Sequence, residues 1–232
     1  DTPVRKIPMG TGEGLVKNYV EYGEDPETGE TGIIQHQTAA VVTASEVDKL
    51  AAIAKRQGST LMPNLRDGWT GKRIGSGNSG AEFRLWVEPH RYRLGVVVGV
   101  QPGRGAALLN PDEVAGGTPQ RFLWLPCTDP DAPEVKPDYP GRLKWELPDL
   151  PDLEPGVGLR PISVCATAVR EIDAVRLRRL RGEQVALEAH AQLNREKWAS
   201  ALGIFNGRPE INEEDWQLGG VLMGVSTRTR QT

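Results

Sequence analysis

Apolar positions follow mixed rhythms over the first half of this chain and settle into helical spacing over its last third. Leu15, Val16, Tyr19 and Val20 recur at helical spacing behind the glycine-rich turn "KIPMGTGEGL", which predicts a short helix over 14–21. The turn-forming run "EDPETGETG" at 24–32 leads into Ile33 and Ile34, which predicts an exposed hairpin beside a strand at 39–43. From Glu46 onward, Val47, Leu50, Ala51 and Ala54 mark one face of a helix, with Lys55, Arg56 and Gly58 as its basic last turn and stop. Ser59 then reads as the cap of a second helix carrying Leu61, Met62, Leu65 and Trp69.

Between 71 and 102, two polar-rimmed strands precede a run at 94–100 that is apolar on both faces. Such a run belongs in the middle of a covered sheet. Residues 116–126 read as a turn, a short helix start at Thr118-Pro119 and an apolar strand at 122–125. Prolines at 126, 130, 133, 137, 140, 148, 151, 155 and 161 then forbid long helices and predict an extended crossing segment. Helices are predicted over 166–181 and 183–206, with a third capped by Asn212 and carrying Glu213, Glu214 and Asp215 in its first turn.

Composition changes this picture little. The 232 residues carry a net charge of −3, so a nucleic-acid contact requires a local basic patch and not a global field. Cys127 and Cys165 stand far apart without a Cys/His cluster, which indicates neither zinc nor a disulfide framework and suits a reducing cytoplasm. No apolar run approaches the roughly 20 residues of a membrane helix, and no membrane partner or export signal is expected. The chain starts at Asp1 and enters an ordered-looking glycine turn almost at once, so a fragment of a longer protein is expected.

Candidate chemistry centres on "VVTASEVDKLAAI", where an apolar strand runs into Glu46 and Asp48. P-loop phosphoryl transfer places an acid at such a strand end, beside a loop G-x-x-x-x-G-K-[ST]. That loop is missing: "GWTGKRIG" follows Gly-Lys with Arg73, and "GTGEG" has Glu13 where a lysine is needed. From the residues alone, Glu46 and Asp48 are weak evidence for that chemistry, since an acid in a helix's first turn more often complements its dipole.

The ordered series "MGTGEGLVKNYV", "SEVDKLAAI", "QGSTLMPNLRDGWTG", "HRYRLGVVVGVQP" and "GGTPQRFLWLP" spans 9–126. It resembles the P-loop ATPase domain of primase–helicase-like replication proteins from actinobacterial phages, plasmids and integrated elements. The helices over 163–228 resemble that family more loosely. The resemblance implies that the phosphate loop lies upstream and that this chain is the carboxyl-terminal part of an ATPase. It makes Glu46 the acid that orients water or magnesium; Asp48, two residues on, is the metal candidate. It makes Gln101 a phosphate sensor and Arg121 an arginine reaching a phosphate. Ser45 departs from the pattern, which carries a second acid at or just before that point. Each role has a plain rival in the residues themselves: Gln101 before Pro102 simply ends a strand, and Arg121 lays its stem over Phe122, Leu123 and Trp124.

A single-strand DNA contact is expected at Arg66, Lys72, Arg73 and Asn78, where basic residues adjoin Trp69 and a Gly/Ser loop. Trp69 itself, at helical spacing from Leu65, reads first as a core residue.

The expected fold is α/β, a partial RecA/AAA+-like P-loop sheet at 1–126, a proline-rich crossing at 127–161 and a helical bundle at 162–232. The expected function is part of an ATP-hydrolysing, helicase-like motor in DNA replication of a mobile genetic element. ATP and Mg2+ serve the longer, ring-forming protein, and this chain alone is expected to be inactive and to hold neither tightly. The other function class is a non-catalytic nucleic-acid-binding or assembly module on a degenerate ATPase fold.

Overall fold

The computed structural model describes residues 4–75, 77, 84–142, 144–149, 160–183 and 188–231. The chain divides into two compact units, residues 1–119 and 120–232. In chain order the first unit runs β1 (Arg5–Pro8), α1 (Gly12–Val16), β2 (Val20–Glu24), β3 (Thr31–Gln35) and β4 (Ala39–Ala44). It continues with α2 (Val47–Ala54), α3 (Leu61–Trp69), β5 (Ile74–Gly75), β6 (Trp86–Val87), β7 (Arg93–Val98), α4 (Ala106–Leu109) and α5 (Pro111–Ala115).

Three of these strands form a parallel sheet in the order β1-β4-β7, with Ile7 opposite Val42 and Val42 opposite Val96. Strand alternation makes that sheet one-sided: Ile7, Ala40, Val42 and Ala44 are buried, whereas Lys6 and Thr43 on the other face are exposed. The buried row packs with the apolar faces of the helices, where Val47, Leu50 and Ile53 of α2 and Leu61, Met62 and Leu65 of α3 are also buried. Each such side chain contributes about 1.5–3 kcal/mol. The strands β2 and β3 form the expected hairpin, and β5 pairs antiparallel with β6.

Three elements differ from the sequence expectation. The first helix stops at Val16, because the peptide carbonyl of Tyr19 accepts His36 N–H (3.0 Å) and Gln37 N–H (3.2 Å) from the following strand's end. Tyr19 is nevertheless core: its hydroxyl donates to the Arg93 carbonyl at 2.9 Å and its ring meets Tyr92 edge-on. Burial pushes its phenol far above the usual range. The apolar run β7 pairs only with β4 among the described residues, and Val97 is 60% exposed. A continuous apolar run does not by itself distinguish a central strand from an edge strand. Residues 122–125 form no strand, since Trp124 gives its backbone N–H to Ser226 Oγ at 2.9 Å. Ser59 also shares the start of α3: Thr60 holds the cap position, and Ser59 Oγ accepts Leu61 N–H at 3.4 Å.

The second unit contains β8 (Ser163–Val164), α6 (Ala166–Leu180), α7 (Glu188–Phe205), β9 (Glu210–Ile211) and α8 (Glu213–Gln231). Its core gathers Ala168, Ala199 and Ile211 around Trp216. Described residues of the proline-rich stretch up to 149 form neither helix nor strand, and Trp145 ties them to α7 by a bond from Nε1 to the Ile204 carbonyl at 3.3 Å. Among the described residues, no helix is long and apolar enough to cross a membrane.

Asn212 caps α8 as its sequence predicts, accepting Asp215 N–H at 2.9 Å, while the Asp215 carboxylate accepts Asn212 N–H at 3.0 Å. The same carboxylate receives the fork of Arg208 at 2.9 and 3.0 Å. Burial raises the Asp215 pKa, but the Arg208 fork and the Asn212 N–H outweigh it and hold the carboxyl below its ordinary value. A depressed carboxyl stabilises the fold above its unfolded pKa of about 4, and that contribution disappears as pH falls through the folded value. Asp215→Ala therefore costs about 1–2 kcal/mol at pH 7. In urea titrations of the second unit's transition, the gap between variant and wild type narrows at pH 3.

Candidate functional site

Strand β4 leaves the sheet through Ala44 and Ser45, and Glu46 follows in extended conformation (φ −136°, ψ 138°) at the head of α2. Its carboxylate makes no capping bond to the helix and is exposed. The dipole-complementing acid of α2 is Asp48, in its first turn. The neighbouring strand ends in backbone contact with this one. Gly99 donates its N–H to the Ala44 carbonyl at 2.9 Å, and a Cβ at Gly99 would collide with the Ser45 carbonyl. Any other residue there would separate the two strand ends.

Beyond Gly99 the chain reaches Gln101, extended at the entrance to a 3-10 turn over Pro102–Arg104. Pro102 supplies a fixed φ at the first position of that turn, and Arg104 N–H closes it on the Gln101 carbonyl at 2.8 Å. Glu46, Val47, Asp48, Gly99, Gln101 and Arg104 thus line one shallow cleft of about 10 Å³, about the volume one water centre needs. Arg104 stands with Nε 3.6 Å from Asp48 Oδ2, and both side chains are about half exposed. An ion pair so exposed contributes at most about 1 kcal/mol.

The fold brings Glu46, Asp48 and Gln101 together from two segments over fifty residues apart. Arg104, which the sequence reading did not single out, joins them through the turn "QPGR". Its only sequence signal is a cation in a proline-initiated turn after an apolar strand. Arg121 belongs to the second unit, at the end of the 3-10 turn Pro119–Arg121, and is half-buried. There it acts on His190, whose pKa is lowered by burial first and then by the charges of Arg121 and Arg179.

In the glycine turn, Thr11 caps α1 by accepting Gly14 N–H at 3.1 Å. Glu13 accepts the Thr60 hydroxyl at 2.8 Å and so pins α1 to the start of α3. Gly12 lies so close to Thr60 and Asn64 that no Cβ fits. This turn is a packing joint.

The expected nucleic-acid patch is partly committed to ion pairs. Arg66 lies 3.9 Å from Glu113, and Arg73 forks onto Glu88 at 2.9–3.3 Å while standing 5.6 Å over the Trp86 ring. Lys72 is exposed, with its carbonyl accepting the Tyr92 hydroxyl, and Trp69 is half-buried at the end of α3. Asn78 lies outside the described residues.

No group of three or more His, Cys, Asp or Glu among the described residues is arranged to hold a metal. Glu46 and Asp48 offer two carboxylates to the cleft. Magnesium is commonly held by one or two carboxylates plus phosphate oxygens and water. The donor set therefore suits an ion carried in by a nucleotide and not one held by the protein alone.

The sequence matches no known protein-family model and no curated protein. Among solved structures, the chain is similar to a protein of Cytophaga hutchinsonii described as a "putative ATPase", at 10% identity over 94% of this chain and 67% of that one, with a TM-score of 0.32. At that score the likeness fixes neither topology nor chemistry.

Proposed function

We propose that the cleft between the ends of β4 and β7 is the phosphate-facing part of a nucleotide-hydrolysing site of the P-loop ATPase kind, in a helicase-like motor that serves replication of a mobile genetic element. One observation carries this reading: adjacent parallel strands deliver Glu46 and Gln101 to one cleft at their carboxyl ends. That is where open α/β sheets bind their ligands.

In this site the uncapped Glu46 carboxylate accepts a proton from, and orients, the attacking water. The Gln101 amide donates to an oxygen of the terminal phosphate. Arg104 sets a positive charge beside the same oxygens, held in place by Asp48. Asp48 is the residue that would hold magnesium carried in by the nucleotide, and that ion would supply neutralisation of charge on the phosphates. The phosphate-loop lysine has no counterpart in the 232 residues, so in this reading another segment supplies it.

The chain alone consequently holds ATP no more tightly than about millimolar, the level of a few solvated contacts. Isothermal titration of residues 1–232 with Mg-ATP checks this, and a micromolar dissociation constant would contradict it. Ser45, where a second acid is expected, favours the rival reading of an assembly or nucleic-acid-binding module without hydrolysis. The two readings part on whether turnover depends on Glu46.

A further inference from the structure

Helix α6 begins in the core of the second unit and then leaves it. Ala168 near its start is 0% exposed, whereas from Asp173 to Leu180 no residue is buried. Ile172, Val175, Arg176 and Leu180 recur three and four residues apart and so share one face of that helix. This face lines an open groove of about 500 Å³, and Gln192, Leu193 and Glu196 of α7 line its other wall. Leu180 is 75% exposed and Leu177 beside it 46%, so two aliphatic side chains stand in solvent on a helix end with little packing to hold it.

The polar groups of the groove are unfinished as well. Glu196 is half-buried, burial pushes its carboxyl above the ordinary value, and no cation pairs with it among the described residues. Arg176 on the facing wall is exposed and likewise has no ion-pair partner among the described residues. The two charges line one groove and do not meet across it. Gln192 Nε2, buried against the same wall, also lacks a hydrogen-bond partner there. A half-buried carboxylate without a cation is costly, so the surface favours an occupant that brings one. Arg176 calls for an acid at the same time. An apolar helix supplies neither charge, and a purely basic or purely acidic one opposes one of the two residues. A second copy of this chain supplies both, because about a two-fold axis the same face meets itself and each cation reaches the other copy's acid.

We propose that the α6–α7 groove is a self-association surface on which two copies of the chain pair about a two-fold axis, with each Arg176 against the partner's Glu196 and each Leu180 in the partner's groove. Such a contact closes at two copies and does not extend to a ring. It stands on the second unit alone and is independent of the hydrolytic reading.

Sedimentation equilibrium of residues 1–232 over about 1–300 μM tests it. Wild type passes from monomer to dimer within that range. Leu180→Glu, at an exposed side chain, raises the dissociation constant by about tenfold or more. Arg176→Glu and Glu196→Arg do the same singly, since each sets like charges against one another. Mixed in equal amounts, these two variants recover wild-type affinity, because each supplies the charge the other has lost. A role confined to one copy's own packing gives no such recovery. Circular dichroism verifies that the variants are folded, and if Glu196→Arg is not, the Leu180→Glu result decides. The proposal is overturned if wild type stays monomeric at the highest concentration, if it forms species larger than a dimer, if Leu180→Glu pairs as tightly as wild type, or if the mixed variants associate no better than each alone.

Discussion

Glu46→Gln lowers nucleotide hydrolysis by about a hundredfold or more, in a polypeptide where the phosphate loop is supplied, while nucleotide affinity stays within about threefold of wild type. The amide keeps the shape of the carboxylate but cannot accept the water's proton, and among the described residues no capping bond or ion pair depends on that carboxylate. The loss is therefore confined to the transition state, and appears in kcat and not in ground-state binding. Asp48→Asn gives the contrasting result, a loss of no more than about fivefold, because it removes the exposed partner of Arg104 and one donor to an ion held chiefly by phosphates and water. Equal losses for the two substitutions would mean that the cleft acts as a general negative field, with no distinct role for Glu46.

Trp216→Ala costs the second unit about 3–5 kcal/mol, the usual range for emptying a buried aromatic site. Trp216 is 0% exposed, and its core neighbours Ala168, Ala199 and Ile211 are too small to refill the space. It also organises a polar shell. Its Nε1 donates to Glu171 at 3.1 Å, Arg195 stacks 3.9 Å over its ring, and Arg195 in turn donates to Glu171 and to the Trp216 carbonyl. Trp216→Phe keeps most of the volume and loses the indole bond, at about 1 kcal/mol. Denaturant unfolding reads both as shifts in midpoint. A shift for Trp216→Ala no larger than that for Trp216→Phe would show that the core lies elsewhere.

Much of this architecture was legible where local chemistry decides the conformation. Helix α2, the Asn212 cap and the hairpin over its turn-rich loop all follow from residues within one turn of each other. Long-range pairing decided the rest. Tyr19 and Val20 have helical spacing, yet Val20 pairs with Gln35 of β3 and the Tyr19 carbonyl is taken by His36 and Gln37 just after it; 94–100 reads as a central strand, yet β7 has one partner among the described residues. At the candidate site, the strand-end acid and the Gln-Pro step were visible singly. Their meeting was not, since it depends on β4 and β7 being parallel neighbours. Arg104 was invisible for the same reason: an arginine in a Gly-rich turn gains meaning only from what stands opposite.

The central claim is that the ends of β4 and β7 face the terminal phosphate and its metal. Paramagnetic broadening of backbone amides by a manganese–nucleotide complex, in the protein with its phosphate loop supplied, tests it without relying on turnover. The account predicts that amides of Ser45, Glu46, Val47 and Asp48, and of Gly99, Gln101 and Arg104, broaden first, with those of Tyr22 and Glu88 little changed. Strong broadening elsewhere that spares both strand ends would contradict it.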